Sequence, residues 1–319
     1  MTAAIYQLNG VDAFTRRQGT EKAWHGLGGE TPADAPLEIW AQNAGMDFTI
    51  ESAPVDYSIG EKVYTVPKRR VLYRSDTRAH VGIVSDIYKV VQPSEVLEFF
   101  RSLTQAGGFQ MDTAGVLKNG AKYWALASNG MEGALGADII KPYLLVATAS
   151  DGSLATTTAL TTIRVVCENT LQMSLRNNGS VVKVRHSTEF DADSVKAQLG
   201  VDDNFGHFMS DAENMASRGI DNKAAAEIIV ELFGDPSKPI EQGAQPNRKT
   251  LVNIWELFQG AGKGADLPSA RGTRWGLLNA VTEHIDHHAR ARSNENRLNS
   301  AWFGQGATVK AKALELLVA

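Results

Sequence analysis

The chain has 319 residues, 21% of them charged and 43% hydrophobic, and carries a formal net charge of −4. This is ordinary globular composition for one large or two modest domains, and the acidic balance is not the footprint of a strongly basic nucleic-acid binder. The single cysteine, Cys167, excludes an internal disulfide framework and a four-cysteine zinc site. The opening segment shows no basic stretch followed by an apolar run, and apolar stretches such as "YLLVATA" fall far short of a membrane span.

Residues 1–35 read as an irregular N-terminal arm rich in turn signals. A body over 36–190 follows. "PLEIWAQNAG" predicts a short helix ending at Gly45. "DFTIESAPVDY", "KVYTVPKRRVLYRSD" and "AHVGIVSDIYKVV" alternate apolar with polar and predict strands. The period then changes. Val96, Phe99, Phe100 and Leu103 predict a helix over 94–106, with Ser94 as cap and Gly107 as stop. "FQMDTAGVLKNGAKYWALASNG" predicts a β-hairpin turning at Asn119-Gly120. "KPYLLVATAS" and "LATTTALTTIRVV" predict strands, "CENTLQMSLRN" a helix and "SVVKVRHS" a last short strand. From 191 to 319 the pattern is helical, interrupted by the linker "GDPSKPIEQGAQPN". The expected fold is α+β: an antiparallel β-rich body with packed helices, then an α-helical C-terminal part.

Signals for enzymatic chemistry are sparse. In "EKAWHGLGGE" the glycines Gly26, Gly28 and Gly29 do not complete a dinucleotide fingerprint, because Thr31 holds the sixth position and no strand is predicted before them. A turn with Trp24 packed and His25 bonded to backbone is the simpler reading. His284 and His288 lie four apart on one predicted helix face and are candidate metal ligands, although no third ligand is evident nearby. They carry the alternative reading of a metal-dependent nucleic-acid enzyme. Cys167 has only His186 as a candidate base, and the spacing matches no nucleophile signature.

Binding signals are better. Seven basic residues between Lys62 and Lys89 face only Asp76 and Asp86, and Arg164, Arg176, Lys183 and Arg185 face only Glu168. Lys68, Arg69, Arg70 and Arg74 lie near Tyr64 and Tyr73. Lys122 adjoins Tyr123 and Trp124, while Arg164, Lys183 and Arg185 fall on or beside predicted strands. Basic residues neutralise phosphates and exposed aromatics stack on unpaired bases, so these residues predict a single-stranded nucleic-acid platform that needs no cofactor. The competing reading places the aromatics in the core and leaves the cations as solubilising charge.

Three stretches, "KAWHGLGG", "YLLVATASDGSLATTTALTTIRVVCENTL" and the segment from "GTRWGLLNAVTEHIDHH" to "KALELL", resemble the prokaryotic family labelled "phage/plasmid-like protein", a domain of unknown function. The resemblance implies a mobile-element origin and a cytoplasmic setting in a bacterial cell, and supplies no catalytic residues. The element order from 94 to 176 is also similar to the β-β-β-α core of the Rad52-like single-strand annealing proteins. That similarity implies single-stranded DNA as partner, DNA annealing in recombination and a homo-oligomer. Trp24 and Leu27, with Phe14, would then anchor the arm on a neighbouring subunit. A structural or host-interaction protein of a mobile element is the remaining alternative.

Overall fold

A computed structural model describes residues 7–8, 11–12, 14–19, 29–166, 169–172, 182–183, 200–234 and 247–319. In chain order the elements are β1 (Gln7–Leu8), β2 (Val11–Asp12), β3 (Phe14–Arg17), β4 (Gly29–Thr31), α1 (Leu37–Asn43), β5 (Ile50–Ile59), β6 (Lys62–Arg74), β7 (His80–Ser85) and α2 (Pro93–Gly107). Then come β8 (Gln110–Leu117), β9 (Lys122–Ser128), β10 (Gly133–Leu135), β11 (Asp138–Ala149), β12 (Thr157–Arg164), β13 (Asn169–Gln172) and β14 (Val182–Lys183). The helices α3 (Val201–Ser217), α4 (Asn222–Phe233), α5 (Arg248–Glu256), α6 (Arg274–Glu283), α7 (Asn294–Phe303) and α8 (Gln305–Val318) complete the chain. The fold is α+β, with antiparallel sheets in the N-terminal half and helices mostly in the C-terminal part.

The chain forms two compact units, one of residues 1–129, 143–159 and 181–199, the other of 130–142, 160–180 and 200–319. Strands β11 and β12 each run on from one unit into the other.

In the first unit, β11, β9, β8, β3 and β4 are successive neighbours, and α2 packs on β8 and β9 with α1 against it. The cap of helix α2 lies two residues before the expected one, Ser94. Pro93 supplies a pre-set φ at the first helical position, so Gln92 becomes the cap and closes a capping box with Glu95. Gly108 ends it in the left-handed conformation. Val96, Leu97 and Phe100 are buried, and the helix packs on β9. The hairpin turns where the sequence places it: Lys118, Asn119 and Gly120 all have positive φ. At Gly120 a Cβ would run into the Arg74 guanidinium and the Phe48 ring, so this position requires glycine for space as well as conformation. Residues 14–17 and 29–31, within the expected irregular arm, are strands. They are too short to display an alternation, and β3 is held by antiparallel pairing to β8 and by Phe14 packing on Trp124, with ring centroids 5.4 Å apart. Strands β5, β6 and β7 form a separate antiparallel sheet.

In the second unit, α6 is buried on every side from Trp275 to Glu283 and packs against α3, α8 and β13. Its buried polar residues are bonded: Asn279 Nδ2 donates to the Trp275 carbonyl, Thr282 Oγ1 to the Asn279 carbonyl, and Glu283 accepts from the Lys263 amide. Thr273 caps it by accepting from the Gly276 amide at 3.1 Å. A Cβ on Gly276 would fall on the Ala270 carbonyl oxygen, and both atoms belong to backbone. Gly276→Ala therefore costs roughly 3 kcal/mol or more of stability, measurable by urea denaturation. A loss below about 0.5 kcal/mol would show that the approach relaxes freely. The segment expected to be a helix from Cys167 corrects to a strand where it is described. Residues 169–172 pair antiparallel with β12, Thr161 opposite Gln172 and Arg164 opposite Asn169. Local propensity loses here because Asn169 and Thr170 are bonded from the helical side: Asn169 Nδ2 donates to the Asn279 carbonyl at 3.1 Å and Thr170 N to Asp286 Oδ2 at 2.7 Å. Residues 167–168 and most of the linker "GDPSKPIEQGAQPN" lie outside the described residues.

Candidate nucleic-acid interface

Strands β5 and β6 form one long hairpin with two different halves. At its base, Ile50 and Leu72 are buried. Beyond Val55 the ladder shifts register, Lys68 takes a φ of 56°, and the distal half stands in solvent on both faces. Tyr57, Ile59, Val63 and Tyr64 are 49%, 64%, 66% and 41% exposed. Tyr57 lies opposite Tyr64, and Ile59 opposite Lys62. Side chains alternate along a strand, so Tyr57, Ile59, Lys62 and Tyr64 share one face, and Val63, opposite Ser58, lies on the other. The two tyrosine rings stack with centroids 5.4 Å apart and an interplanar angle of 21°. On the other face Thr65 Oγ1 donates to Asp56 Oδ1 at 2.6 Å. Gly60, with a φ of 62°, makes the turn.

Three cations accompany the tyrosines: Lys62 beside the turn, and Lys68 and Arg69 at the register shift. All three are exposed, and among the described residues none forms an ion pair. Arg70, next in sequence, is half-buried and donates to the Tyr88 carbonyl oxygen.

The other expected binding residues are placed differently. Arg74 is buried, with its guanidinium 3.6 Å from the Phe48 ring centroid and paired with Asp76 at 2.7 Å. The arginine holds the Asp76 carboxyl below its usual range. Lys122 and Tyr123 face inward. Burial lowers the Lys122 ammonium and raises the Tyr123 phenol, whose hydroxyl shares a hydrogen bond with Ser150. In the second unit Arg164 is 3% exposed and bound through Nε to both oxygens of Asp138, at 2.7 and 2.9 Å. A guanidinium committed in this way is unavailable to a phosphate. Arg74, Lys122, Tyr123 and Arg164 therefore correct from candidate surface contacts to interior groups: β9 and β12 are buried on both faces, and Arg74 lies on the covered face at the end of β6. Lys183 pairs in β14 with Thr157, while its side chain, Arg185, Trp24 and Leu27 lie outside the described residues.

His284 and His288 sit on a π-helical turn, His284–His288, that continues α6. His284 is buried, its Nδ1 2.6 Å from Asn253 Oδ1. Burial first, and the charge of His288 second, lower its pKa to about 4. His288 Nε2 lies 3.6 Å from Glu283 Oε1, and Glu283 in turn accepts from the Lys263 amide at 3.0 Å. Among the described residues no group of three or more His, Cys, Asp and Glu side chains is arranged to hold a metal ion.

The model of a family described as a domain of unknown function, DUF932, matches residues 80–302, more than half of the chain. The chain belongs to the DUF932 family. The match takes in two of the three stretches on which the family resemblance rests in whole or in large part; "KAWHGLGG" precedes it. The distal hairpin of this DUF932 chain also lies before the matched segment. No curated protein and no solved structure matches the chain. Among the described residues no helix is long and apolar enough to cross a membrane.

A reading of the sequence by charge clusters begins at Lys62 and takes in Tyr64, but misses its stacking partner Tyr57. The signal that could have found it is the symmetric spacing in "YSIGEKVY": a two-residue turn with a tyrosine three positions from it on each side.

Proposed function

We propose that this DUF932 chain binds single-stranded nucleic acid along the distal half of the β5–β6 hairpin. The observation that carries the proposal is a stacked, solvent-exposed tyrosine pair flanked by three cations without carboxylate partners. Every unpaired base offers a π-face to an exposed ring, and Lys62, Lys68 and Arg69 lie along the same ribbon where a strand's phosphates would run. From Lys62 to Lys68 an extended strand covers about 20 Å, enough to follow several nucleotides. Asp56 and Glu61 moderate the local charge, which agrees with recognition led by stacking. Annealing in phage or plasmid recombination, a homo-oligomeric state and a cytoplasmic setting belong with this reading. The resemblance of the chain to mobile-element proteins favours them.

Fluorescence anisotropy with a labelled single-stranded oligonucleotide at low salt tests the proposal. Affinity should fall as salt rises, because neutralising phosphates releases counterions. Tyr57→Ala and Tyr64→Ala should each cost roughly 1–3 kcal/mol of binding. Lys68→Glu with Arg69→Glu should weaken every sequence alike and flatten the salt dependence. A duplex, whose bases are already stacked, should bind more weakly. Absence of binding at micromolar protein would defeat the proposal, as would affinity indifferent to both tyrosines.

A further inference from the structure

The second unit carries a cavity of about 370 Å³, open to solvent, between the end of α4, the start of α5, the π-helical turn after α6, and helices α7 and α8. Its volume suits a small organic ligand. Among the described residues its lining contains two arginines, Arg290 and Arg297, and no carboxylate. Arg290 is exposed and has no hydrogen-bond or ion-pair partner among the described residues. Arg297 is fixed in place: Nε donates to the Asp286 carbonyl at 3.1 Å and Nη2 to Asn294 Oδ1 at 2.6 Å. Its Nη1 is left for a ligand. Such a pair of guanidinium groups, one rigid and one free to close, matches a phosphate or carboxylate.

A third group makes the demand more specific. His284 lines the same cavity and is 6% exposed. Its Nδ1 is occupied by Asn253 Oδ1, an acceptor, which places the ring proton on Nδ1 and leaves Nε2 as a lone pair. Nε2 has no partner among the described residues. Burial keeps the ring neutral down to about pH 4, so at neutral pH Nε2 can only accept. An acceptor held open on the cavity wall can take a donor from a ligand. The cavity therefore offers cations to an anion at one side and an acceptor to a hydrogen-bond donor at the other. The π-helical turn widens the backbone where both meet, a feature frequent at functional sites.

We propose that this cavity binds a phosphate ester of about nucleoside monophosphate size, the phosphate on Arg290 and Arg297 and a hydroxyl or amino donor on His284 Nε2. A free nucleotide and the phosphorylated end of a nucleic-acid strand share that chemistry. The inference does not rest on the hairpin, and it stands or falls separately.

Calorimetric titration of the full chain with adenosine monophosphate tests it. One ligand should bind per chain, with adenosine and inorganic phosphate each weaker by about tenfold or more, since each lacks one of the two anchors. Arg290→Glu changes an exposed, unpartnered residue and should leave folding intact while weakening the nucleotide by at least about tenfold. The hairpin variant Lys68→Ala/Arg69→Ala should bind it as the parent does. In that variant, a phosphorylated trinucleotide that binds more tightly than the mononucleotide identifies a strand end as the source, and weaker binding identifies the free nucleotide. No binding of either probe at millimolar concentration overturns the proposal. Affinity unchanged by Arg290→Glu, equal binding of inorganic phosphate, or loss of binding in the hairpin variant does so too.

Discussion

Asp138→Ala should lower the stability of the chain by about 3–5 kcal/mol, the largest effect expected of any single substitution here. Asp138 is fully buried and accepts from Arg164 Nε, from Ser269 Oγ at 3.0 Å and from Trp275 Nε1 at 3.0 Å. Arg164 also donates through Nη1 and Nη2 to the Lys263 and Gly264 carbonyls, at 3.1 and 3.0 Å. The aspartate thus joins β11, β12, the 263–269 loop and α6 through one carboxylate. Without it Arg164 stays charged, because a guanidinium does not give up its proton in a protein, and a buried charge loses the carboxylate that holds its Nε. Urea denaturation monitored by tryptophan fluorescence reads the loss. The loss should be the same at pH 7 and at about pH 10, since the guanidinium keeps its proton at both. A loss below about 1 kcal/mol would mean that water reaches Arg164 at little cost.

Asp286→Ala should behave differently although the pair looks alike. Asp286 and Lys310 are both buried and meet at 2.7 Å, and Lys310 also donates to the Thr170 carbonyl at 2.7 Å. Burial pushes the Asp286 carboxyl up and the Lys310 ammonium down, each opposed by the other's charge. Removing the carboxylate leaves an ammonium that can shed its proton. The expected cost is roughly 3 kcal/mol at pH 7. With the folded pKa of Lys310 depressed below the unfolded value, the unfolded chain binds the extra proton, so the variant gains stability as pH rises toward about 10. Denaturation midpoints at several pH values distinguish the two variants. Parallel pH profiles would contradict the assignment of Lys310 as the titrating group. Lys310→Met combined with Asp286→Leu should recover much of the loss, since both charges leave together.

Much of the fold is written locally. The alternation in "KVYTVPKRRVLYR" made a strand, the Asn119-Gly120 pair made a turn because positive φ is required there, and the spacing of Val96, Phe99 and Phe100 made α2. Each depends on residues within one element, where period and propensity act. Boundaries were less legible. Pro93 moved the cap of α2 to Gln92, and β3 and β4 were too short to carry a period.

The candidate site was legible only in part. The cationic run at Lys68–Arg70 marked the right strand, but charge alone could not tell exposed Lys68 and Arg69 from Arg74, five positions on and buried over Phe48. The sequence by itself determined the α+β class, the hairpins, the basic run and membership of a family of unknown function. Only the tertiary structure decided which face of each strand is wet, that residues 169–172 extend rather than coil, that Arg164 serves Asp138, and that His284, Arg290 and Arg297 open on one cavity. The reason is physical: period and propensity act over a few neighbours, whereas burial and pairing join residues such as Asp138 and Trp275, which lie far apart along the chain and 3.0 Å apart in space.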